Sequence, residues 1–195
     1  MWPWAHHRAE GAEGSRTPRT WQPTRHLNTN QKNEMWNLDA REKTLIIGDS
    51  NVSNIPPFTQ ADLQIDSYPG AKFQHAVELL RKVEPNTQVE TVVLAFGINE
   101  RSRRTTTTAL KAMELAVAMA KTAFPAAKVF VPLITFSEYL DQREKRILAG
   151  LNAAITAHNH LPKLSQRDFR TGRDNIHWTA ETGRKMLDHW LAHLN

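Results

Sequence analysis

From Thr44 onward, the apolar residues fall into short runs that alternate with amphipathic stretches. Four runs are rich in β-branched or other strongly apolar residues and have the length of single strands: 44–47, 63–68, 89–96 and 128–134. The stretch 89–96 (Val-Glu-Thr-Val-Val-Leu-Ala-Phe) has the strongest strand character. Apolar runs of this length are typical of parallel strands that are covered on both faces.

Between these runs, apolar residues recur at the spacing of an α-helix. The helical faces comprise Phe73, Val77, Leu80 and Val83; Leu110, Met113, Val117, Ala120 and Phe124; Leu148, Leu151 and Ile155; and Met186, Leu187, Trp190, Leu191 and Leu194. Asp141 and Glu144 resemble a capping box for the third helix, and the last helix is expected to begin after Thr179. Strands separated by helices predict an α/β fold with a doubly wound parallel sheet.

Residues 1–43 have a different composition from the rest of the chain. Their flexible apolar side chains are confined to four positions, whereas tryptophan, proline and polar residues are frequent. Such a segment buries too little apolar surface to offset its ordering entropy. We therefore predict a polar, basic and largely disordered tail or linker at 1–43, and a folded domain at 44–195. Trp36 and its neighbours are expected to dock on that domain.

The predicted tail interleaves cations with aromatic side chains, as segments that bind single-stranded nucleic acid do. The residues concerned are Arg16, Arg19, Trp21, Arg25 and His26. The alternative is a solvated linker. The formal net charge of +5 at pH 7 favours anionic partners only mildly, so RNA or another single-stranded nucleic acid is permitted as a partner without being required.

Composition excludes several other classes of site and location. No apolar run approaches the ~20 residues of a membrane span. The start of the chain lacks the apolar stretch of a secretory signal. We therefore expect a cytoplasmic location, with the nucleus as the other candidate, and no transmembrane segment. The absence of cysteine excludes disulfides and thiolate metal sites.

Four short polar stretches follow or end predicted framework segments: 48–51 (Gly-Asp-Ser-Asn), 69–71 (Pro-Gly-Ala), 97–99 (Gly-Ile-Asn) and 174–177 (Asp-Asn-Ile-His). The first three come after the first three predicted strands. In an open α/β sheet, ligands bind outside the carboxyl ends of the strands. The three stretches should therefore meet at one sheet edge, and the loop that carries 174–177 precedes the last helix and can fold over the same edge.

Together the four stretches supply the groups that acyl transfer requires. Ser50 is the candidate nucleophile, His177 its general base and Asp174 the carboxylate that orients the base. The backbone N–H of Gly70 and the side-chain amide of Asn99 are candidate donors to an oxyanion. Asp174 lies only three positions before His177, so a local turn can bring its carboxylate to Nδ1 and leave Nε2 for Ser50.

Each assignment has a structural alternative. Gly, Asp and Ser favour turns, so the stretch around Ser50 is compatible with a plain turn. Gly70 after Pro69 is also compatible with a β-turn, and Asn99 with a helix cap. Asp174 is also typical of an Asx-turn, in which case a dyad of Ser50 and His177 would remain.

The stretches resemble the motifs of the SGNH hydrolases, also called the GDSL family. Gly48-Asp49-Ser50 is similar to the nucleophile motif, Gly70 to the family glycine, Gly97-x-Asn99 to the asparagine motif and Asp174-x-x-His177 to the closing pair. More narrowly, 47–51, 66–71, 96–99 and 176–179 resemble the esterase-like domains of fish LINE-type retrotransposons, where the domain belongs to the first open-reading-frame protein. This resemblance covers roughly residues 21–195.

The resemblance implies a flavodoxin-like, three-layer α/β/α serine esterase that uses no metal or organic cofactor. It implies that the N–H groups of Ser50 and Gly70 and the amide of Asn99 hold the oxyanion. Two positions depart from the family pattern. Asn51 replaces a leucine, and Glu100 replaces the aspartate that commonly follows the motif asparagine. Neither position supplies a triad group, so we expect them to affect the type of substrate rather than the chemistry.

Two further clusters of side chains have the composition of a binding site. Arg101, Arg103 and Arg104 precede a predicted helix, where positive charge opposes the macrodipole. This placement suggests an anionic ligand such as phosphate, a lipid headgroup or RNA, and the alternative is a solvated loop. His189 and His193 have an i,i+4 spacing that zinc ligands use, but no acidic residue or cysteine beside them completes a shell, so we predict no metal site.

The predicted function is a serine carboxylic-ester hydrolase that acts on small or medium acyl esters, acetyl and lipid esters included, through an acyl-serine intermediate. The resemblance places it in a retrotransposon-encoded protein, and a lipid or membrane surface is a candidate partner. The alternative is a catalytically weak or inactive SGNH-fold module that serves nucleic-acid binding or ribonucleoprotein assembly.

Overall fold

A computed structural model of the protein describes residues 16–194, and it is organised around one parallel sheet. The six strands are β1 (Thr24–Arg25), β2 (Thr44–Gly48), β3 (Leu63–Ser67), β4 (Thr91–Ala95), β5 (Lys128–Pro132) and β6 (His160–Leu161). The sheet order is β1-β3-β2-β4-β5-β6. Apart from the added edge strand β1, this is the flavodoxin-like order. The predicted fold class is confirmed.

The helices are α1 (Lys32–Met35), α2 (Phe73–Arg81), α3 (Thr107–Ala123), α4 (Gln142–Ile155) and α5 (Ala180–His193). Short 3₁₀ turns lie at Ser50–Asn54, Ile98–Ser102 and Gln166–Asp168. The capping box of α4 forms as predicted, because Asp141 accepts the N–H of Glu144 at 2.8 Å and the Glu144 carboxylate accepts the N–H of Asp141. The last helix begins after Thr179, also as predicted.

The alternation of side chains along β2 shows the three layers. Leu45 and Ile47 pack into a core with α2, α3 and α4, whereas Ile46 packs into a second core with α5. All three side chains are fully buried. A sheet covered on both faces needs near-continuous apolar strands, and this accounts for the runs seen in the sequence.

Residues before Thr44 also contribute to the folded body. Strand β1 pairs in parallel with β3, and Trp21 forms a bridge with Phe58. Trp36 is 3% exposed, and its indole N–H donates to the carbonyl of Leu27 at 2.8 Å. Part of the segment that we predicted as a disordered tail therefore belongs to the sheet and the core. Residues 1–15 lie outside the described residues, and the domain boundary in solution stays a prediction.

The strand ends bring three loops together. Gly48, the last residue of β2, pairs with Ser67 of β3 on one side and Ala95 of β4 on the other. The chain therefore leaves three adjacent strands at the same level, and the loops that follow carry Ser50, Gly70 and Asn99. Between residues 16 and 194, no helix has the length and apolar character that would let it cross a bilayer.

Candidate active site

The turn after β2 places Ser50 at the carboxyl ends of the parallel strands. The Asp49 carboxylate caps the 3₁₀ turn by accepting the N–H of Asn51 at 2.9 Å. Gly48 passes close to β4, where a Cβ atom would lie 2.6 Å from the carbonyl oxygen of Ala95. A larger residue at position 48 would therefore push the two strands apart. Gly48 and Asp49 thus shape the turn that carries Ser50.

Ser50, His177 and Asp174 lie in a hydrogen-bonded line. Ser50 Oγ is 3.1 Å from His177 Nε2, and His177 Nδ1 is 2.5 Å from Asp174 Oδ2. Asp174 Oδ1 also accepts the backbone N–H groups of Ile176 and His177. With Nδ1 donating to the carboxylate, neutral His177 has its free lone pair on Nε2, facing the serine. This is the arrangement in which a histidine accepts a serine proton.

The turn that carries this pair keeps Asp174 ionised. The side-chain hydrogen bond to His177, followed by the backbone N–H of His177, lowers the pKa of Asp174 from 3.8 to about 2. Asn175 has φ of 60°, a left-handed conformation that asparagine tolerates better than most residues. Asp174 therefore combines the two arrangements. Its Oδ1 accepts the N–H groups of the Asx-turn, and its Oδ2 accepts the hydrogen bond from the imidazole.

Asp49 is a second acidic group at this edge, but it is buried. It is 3% exposed, and burial raises its pKa to about 7, against the lowering effect of the Asn51 N–H and of the nearby His177 and Arg101 side chains. Its hydrogen bond to Asn51 gives it a structural role in the turn.

The predicted oxyanion donors occupy the three loops. Gly70 has φ of +72°, a conformation that favours glycine. Within the described chain, no hydrogen-bond acceptor is recorded for the N–H of Ser50 or of Gly70. The Asn99 amide donates one hydrogen to the carbonyl of Ala71 at 3.0 Å, which leaves its second hydrogen for a ligand, and its oxygen accepts from Arg101 at 3.3 Å.

Solved structures with the same fold were compared with the chain. A member of the lipolytic protein G-D-S-L family from Veillonella parvula has 15% identity and a TM-score of 0.58, covering 76% of this chain and 96% of its own. A carbohydrate esterase family 3 protein from Talaromyces cellulolyticus has 12% identity and a TM-score of 0.58, covering 79% and 96%. The lipase/acylhydrolase from Enterococcus faecalis has 15% identity and a TM-score of 0.56, covering 78% and 95%.

The chain has the fold of the GDSL, or SGNH, hydrolases. No family model matches the sequence, and no curated protein matches it. At this level of identity the likeness shows the fold alone.

The arginine cluster divides into residues with different environments. Arg103 pairs with the carboxylate of Glu100, which is fully buried, and also donates to Gln74 at 2.8 Å. Arg101 lies 3.6 Å from Glu144 and donates to Asn99. Arg104 is exposed and has no ion pair recorded among residues 16–194. Two of the three arginines thus have internal partners, and a ligand-binding role for the cluster stays a prediction.

The two positions that depart from the SGNH pattern both make structural contacts. Glu100 accepts the N–H of Phe73 at 3.1 Å in addition to its pairing with Arg103, so it joins the Asn99 loop to the start of α2. Asn51 is 4% exposed, and its amide bonds to backbone atoms on either side of His177. From the sequence, we expected Asn51 to affect the type of substrate, and its contact with the backbone around His177 was not predicted. The one sequence feature that points to this contact is the polar amide that replaces a leucine directly after the nucleophile.

The histidine pair on α5 makes contacts to backbone oxygens. His189 Nε2 lies 3.1 Å from the carbonyl of Pro162, and His193 Nδ1 lies 2.8 Å from the carbonyl of His189. In the part of the chain that the structure describes, no three potential metal ligands come together.

The space around the site differs on its two sides. His177 and Asp174 have side chains that are 51% and 47% exposed, and they line a broad open cleft together with Ser50. The chain neighbours of Ser50, Asp49 and Asn51, line a separate cavity of about 30 Å³ whose walls include Ile98, Ile134 and Trp178. Of these two spaces, Ser50 itself lines the cleft.

Proposed function

We propose that this protein is a serine esterase of the SGNH family that hydrolyses small or medium acyl esters through an acyl-Ser50 intermediate. The observation that carries the proposal is the line from Ser50 Oγ through His177 to Asp174, with separations of 3.1 and 2.5 Å. The fold shared with esterases and acylhydrolases supports it.

The mechanism follows from this line. His177 Nε2 takes the proton of Ser50 as Oγ forms a bond to the ester carbonyl carbon, and the carbonyl oxygen becomes an oxyanion. The N–H groups of Ser50 and Gly70 and the Asn99 amide stabilise that oxyanion. When the tetrahedral intermediate collapses, the alcohol leaves with the proton from His177. Water then attacks the acyl-serine by the same steps and releases the acid.

The open cleft that Ser50 lines together with Asp174 and His177 gives a bulky alcohol access to the serine. Within the proposal the acyl group is small or medium in size, so acetyl esters should be better substrates than octanoyl esters. Lipid esters remain candidates where the short acyl group is the one removed.

An ester panel tests the proposal. Acetyl, butyryl and octanoyl p-nitrophenyl esters are given to the wild type and to Ser50→Ala, with circular dichroism as the control for folding. Turnover that falls with acyl length and is abolished in Ser50→Ala supports the proposal. Retention of more than a few per cent of activity in Ser50→Ala removes Ser50 from the nucleophile role.

The biological setting is a separate proposal. The resemblance of four stretches to fish LINE-type esterase domains supports an origin in a retrotransposon-encoded protein, acting in the cytoplasm or nucleus. RNA is then a candidate partner, and the interleaving of Arg16, Arg19, Trp21 and Arg25 in the N-terminal segment is the feature that supports it. An RNA shift assay at two salt concentrations tests this, because phosphate contacts weaken steeply with salt. The competing function is an inactive module, for which RNA binding without ester turnover is expected.

A further inference from the structure

The residue after the nucleophile is joined to the loop that carries the proposed base. Asn51 Nδ2 donates to the carbonyl of Ile176 at 3.2 Å, and Asn51 Oδ1 accepts the N–H of Trp178 at 3.0 Å. Ile176 and Trp178 are the two chain neighbours of His177. One side-chain amide thus holds the backbone on both sides of the imidazole.

Ile176 and Trp178 pack against the two cores, but the other backbone hydrogen bonds of the His177 loop lie within it or join it to nearby residues. Asp174 accepts N–H groups inside the turn, and the His177 carbonyl accepts the N–H of Gly172 at 2.8 Å. These bonds shape the turn but do not fix its position relative to β2. The two hydrogen bonds of Asn51 fix that position, because they join residues more than 120 positions apart in the sequence and start one residue from Ser50.

Asparagine suits this task because its planar amide donates and accepts at once. The leucine of the common family pattern would fill similar space but would offer neither bond. Because Asn51 is 4% exposed, water has little access to replace a lost partner. The Ile176 carbonyl and the Trp178 N–H would then lose their contact with the nucleophile turn.

We propose that Asn51 is a positioning residue for the hydrolysis reaction, with its amide fixing the His177 loop so that Nε2 stays within hydrogen-bond reach of Ser50 Oγ. The proposal rests on the proposed function in so far as it concerns turnover. Displacements of about 1 Å in such a geometry cost on the order of 10²-fold in rate. The effect should fall on kcat rather than KM, because Asn51 acts through His177 and not on the substrate.

The test compares Asn51→Leu with a matched control, Asn86→Leu. The Asn86 amide also makes one donated and one accepted bond, to the Ala40 carbonyl and the Gln88 N–H, in a loop before β4 at the other end of the sheet. Asn51→Leu should lower kcat for p-nitrophenyl acetate about 100-fold with KM within about threefold, whereas Asn86→Leu should leave kcat within about threefold. In the His177→Ala background, Asn51→Leu should have no further effect on the residual rate.

A measurement without substrate separates this proposal from the proposed function. In the wild type, Ser50→Ala removes the partner of His177 Nε2 and should shift the imidazole Cε1–H resonance of His177 in NMR spectra. In Asn51→Leu, the same change should leave that resonance in place. If the wild type hydrolyses no ester, the proposed function fails, but the resonance still decides whether Asn51 positions the imidazole.

Three results would overturn the proposal: a kcat loss in Asn51→Leu no larger than in Asn86→Leu, an equal loss in the presence and absence of His177, or a His177 resonance that still responds to Ser50→Ala. If Asn51→Leu does not fold, Asn51→Asp takes its place. It retains the acceptor for Trp178 but sets an oxygen against the Ile176 carbonyl. It should lower kcat about tenfold or more with an unchanged circular dichroism spectrum, and wild-type kcat would overturn the proposal.

Discussion

Replacing Asp49 with asparagine should make the protein more stable at neutral and alkaline pH. The carboxyl group is 3% exposed, and burial raises its pKa from 3.8 to about 7. Asparagine has nearly the same shape and keeps the oxygen that accepts the N–H of Asn51 at 2.9 Å. The substitution therefore removes the ionisation while it preserves the capping bond of the nucleophile turn.

The sign and size of the effect follow from proton linkage. Between pH 3.8 and about 7, the unfolded chain has released the Asp49 proton while the folded chain still holds it. The free energy of unfolding therefore falls as the pH rises through this range. A pKa difference of about three corresponds to about 4 kcal/mol when fully expressed, and partial hydration of the charged form reduces this to roughly 2–4 kcal/mol.

The assay is urea unfolding followed by tryptophan fluorescence at pH 4.5, 6 and 7.5. Asp49→Asn should exceed the free energy of unfolding of the wild type by only about 1 kcal/mol at pH 4.5 and by roughly 2–4 kcal/mol at pH 7.5. Asp188→Asn, at an exposed position, is the control and should differ little from the wild type at any pH. A difference between Asp49→Asn and the wild type that is the same at all three pH values would contradict a raised pKa of Asp49 in the folded protein.

Three further predictions concern the arginines, the N-terminal segment and the proposed base. Arg103→Met should cost about 3 kcal/mol in urea unfolding because it leaves the buried Glu100 carboxylate without its cation, whereas Arg104→Met should stay within about 0.5 kcal/mol; equal costs would contradict the assigned environments. Deleting residues 1–30 removes β1 and should lower the Tm by roughly 5 °C while ester turnover at 25 °C persists; an unchanged Tm would show that this segment contributes no stability. His177→Ala should lower kcat/KM for p-nitrophenyl acetate by about 10²–10⁴-fold because the general base is lost, and an unchanged kcat/KM in this variant would exclude His177 as the base.

The strands and helices that were predicted from the sequence are those in which apolar residues recur with a clear spacing. The four main strands and the α4 capping box carry local signals that tertiary contacts reinforce. Strands β1 and β6 have two residues each, too few for any apolar pattern to reveal them. Their pairing depends on neighbours far away in the sequence, so a reading of local pattern could not find them.

The N-terminal segment shows how a few contacts can order a polar stretch. His26 lies 2.7 Å from the buried carboxylate of Asp66 and stacks on Tyr68, with ring centroids 4.1 Å apart. Asp66 was predicted to lie in a strand, but the strand pattern does not show that its buried carboxylate has a hydrogen-bond partner in the N-terminal segment. Composition alone therefore underestimated the order of the segment that precedes residue 43.

The candidate site was predictable where sheet topology sets position. Ser50, Gly70 and Asn99 follow adjacent strands, so their convergence needed only the strand order. The contacts of Asn51 and Arg103 were not predictable, because they depend on how loops that are distant in sequence approach each other. The environments of Arg101 and Arg103 depend on the carboxylates that the fold brings beside them, Glu144 and Glu100.

The activation of Ser50 as a nucleophile is measured most directly by reacting the folded protein with a fluorophosphonate. The product is analysed by intact mass and peptide mapping. The Ser50–His177–Asp174 line predicts one covalent adduct, located on Ser50, that is absent in Ser50→Ala and forms far more slowly in His177→Ala. Folded wild-type protein that gives no adduct, or Ser50→Ala protein that is labelled as fast as the wild type, would contradict the assignment of Ser50 as an activated nucleophile.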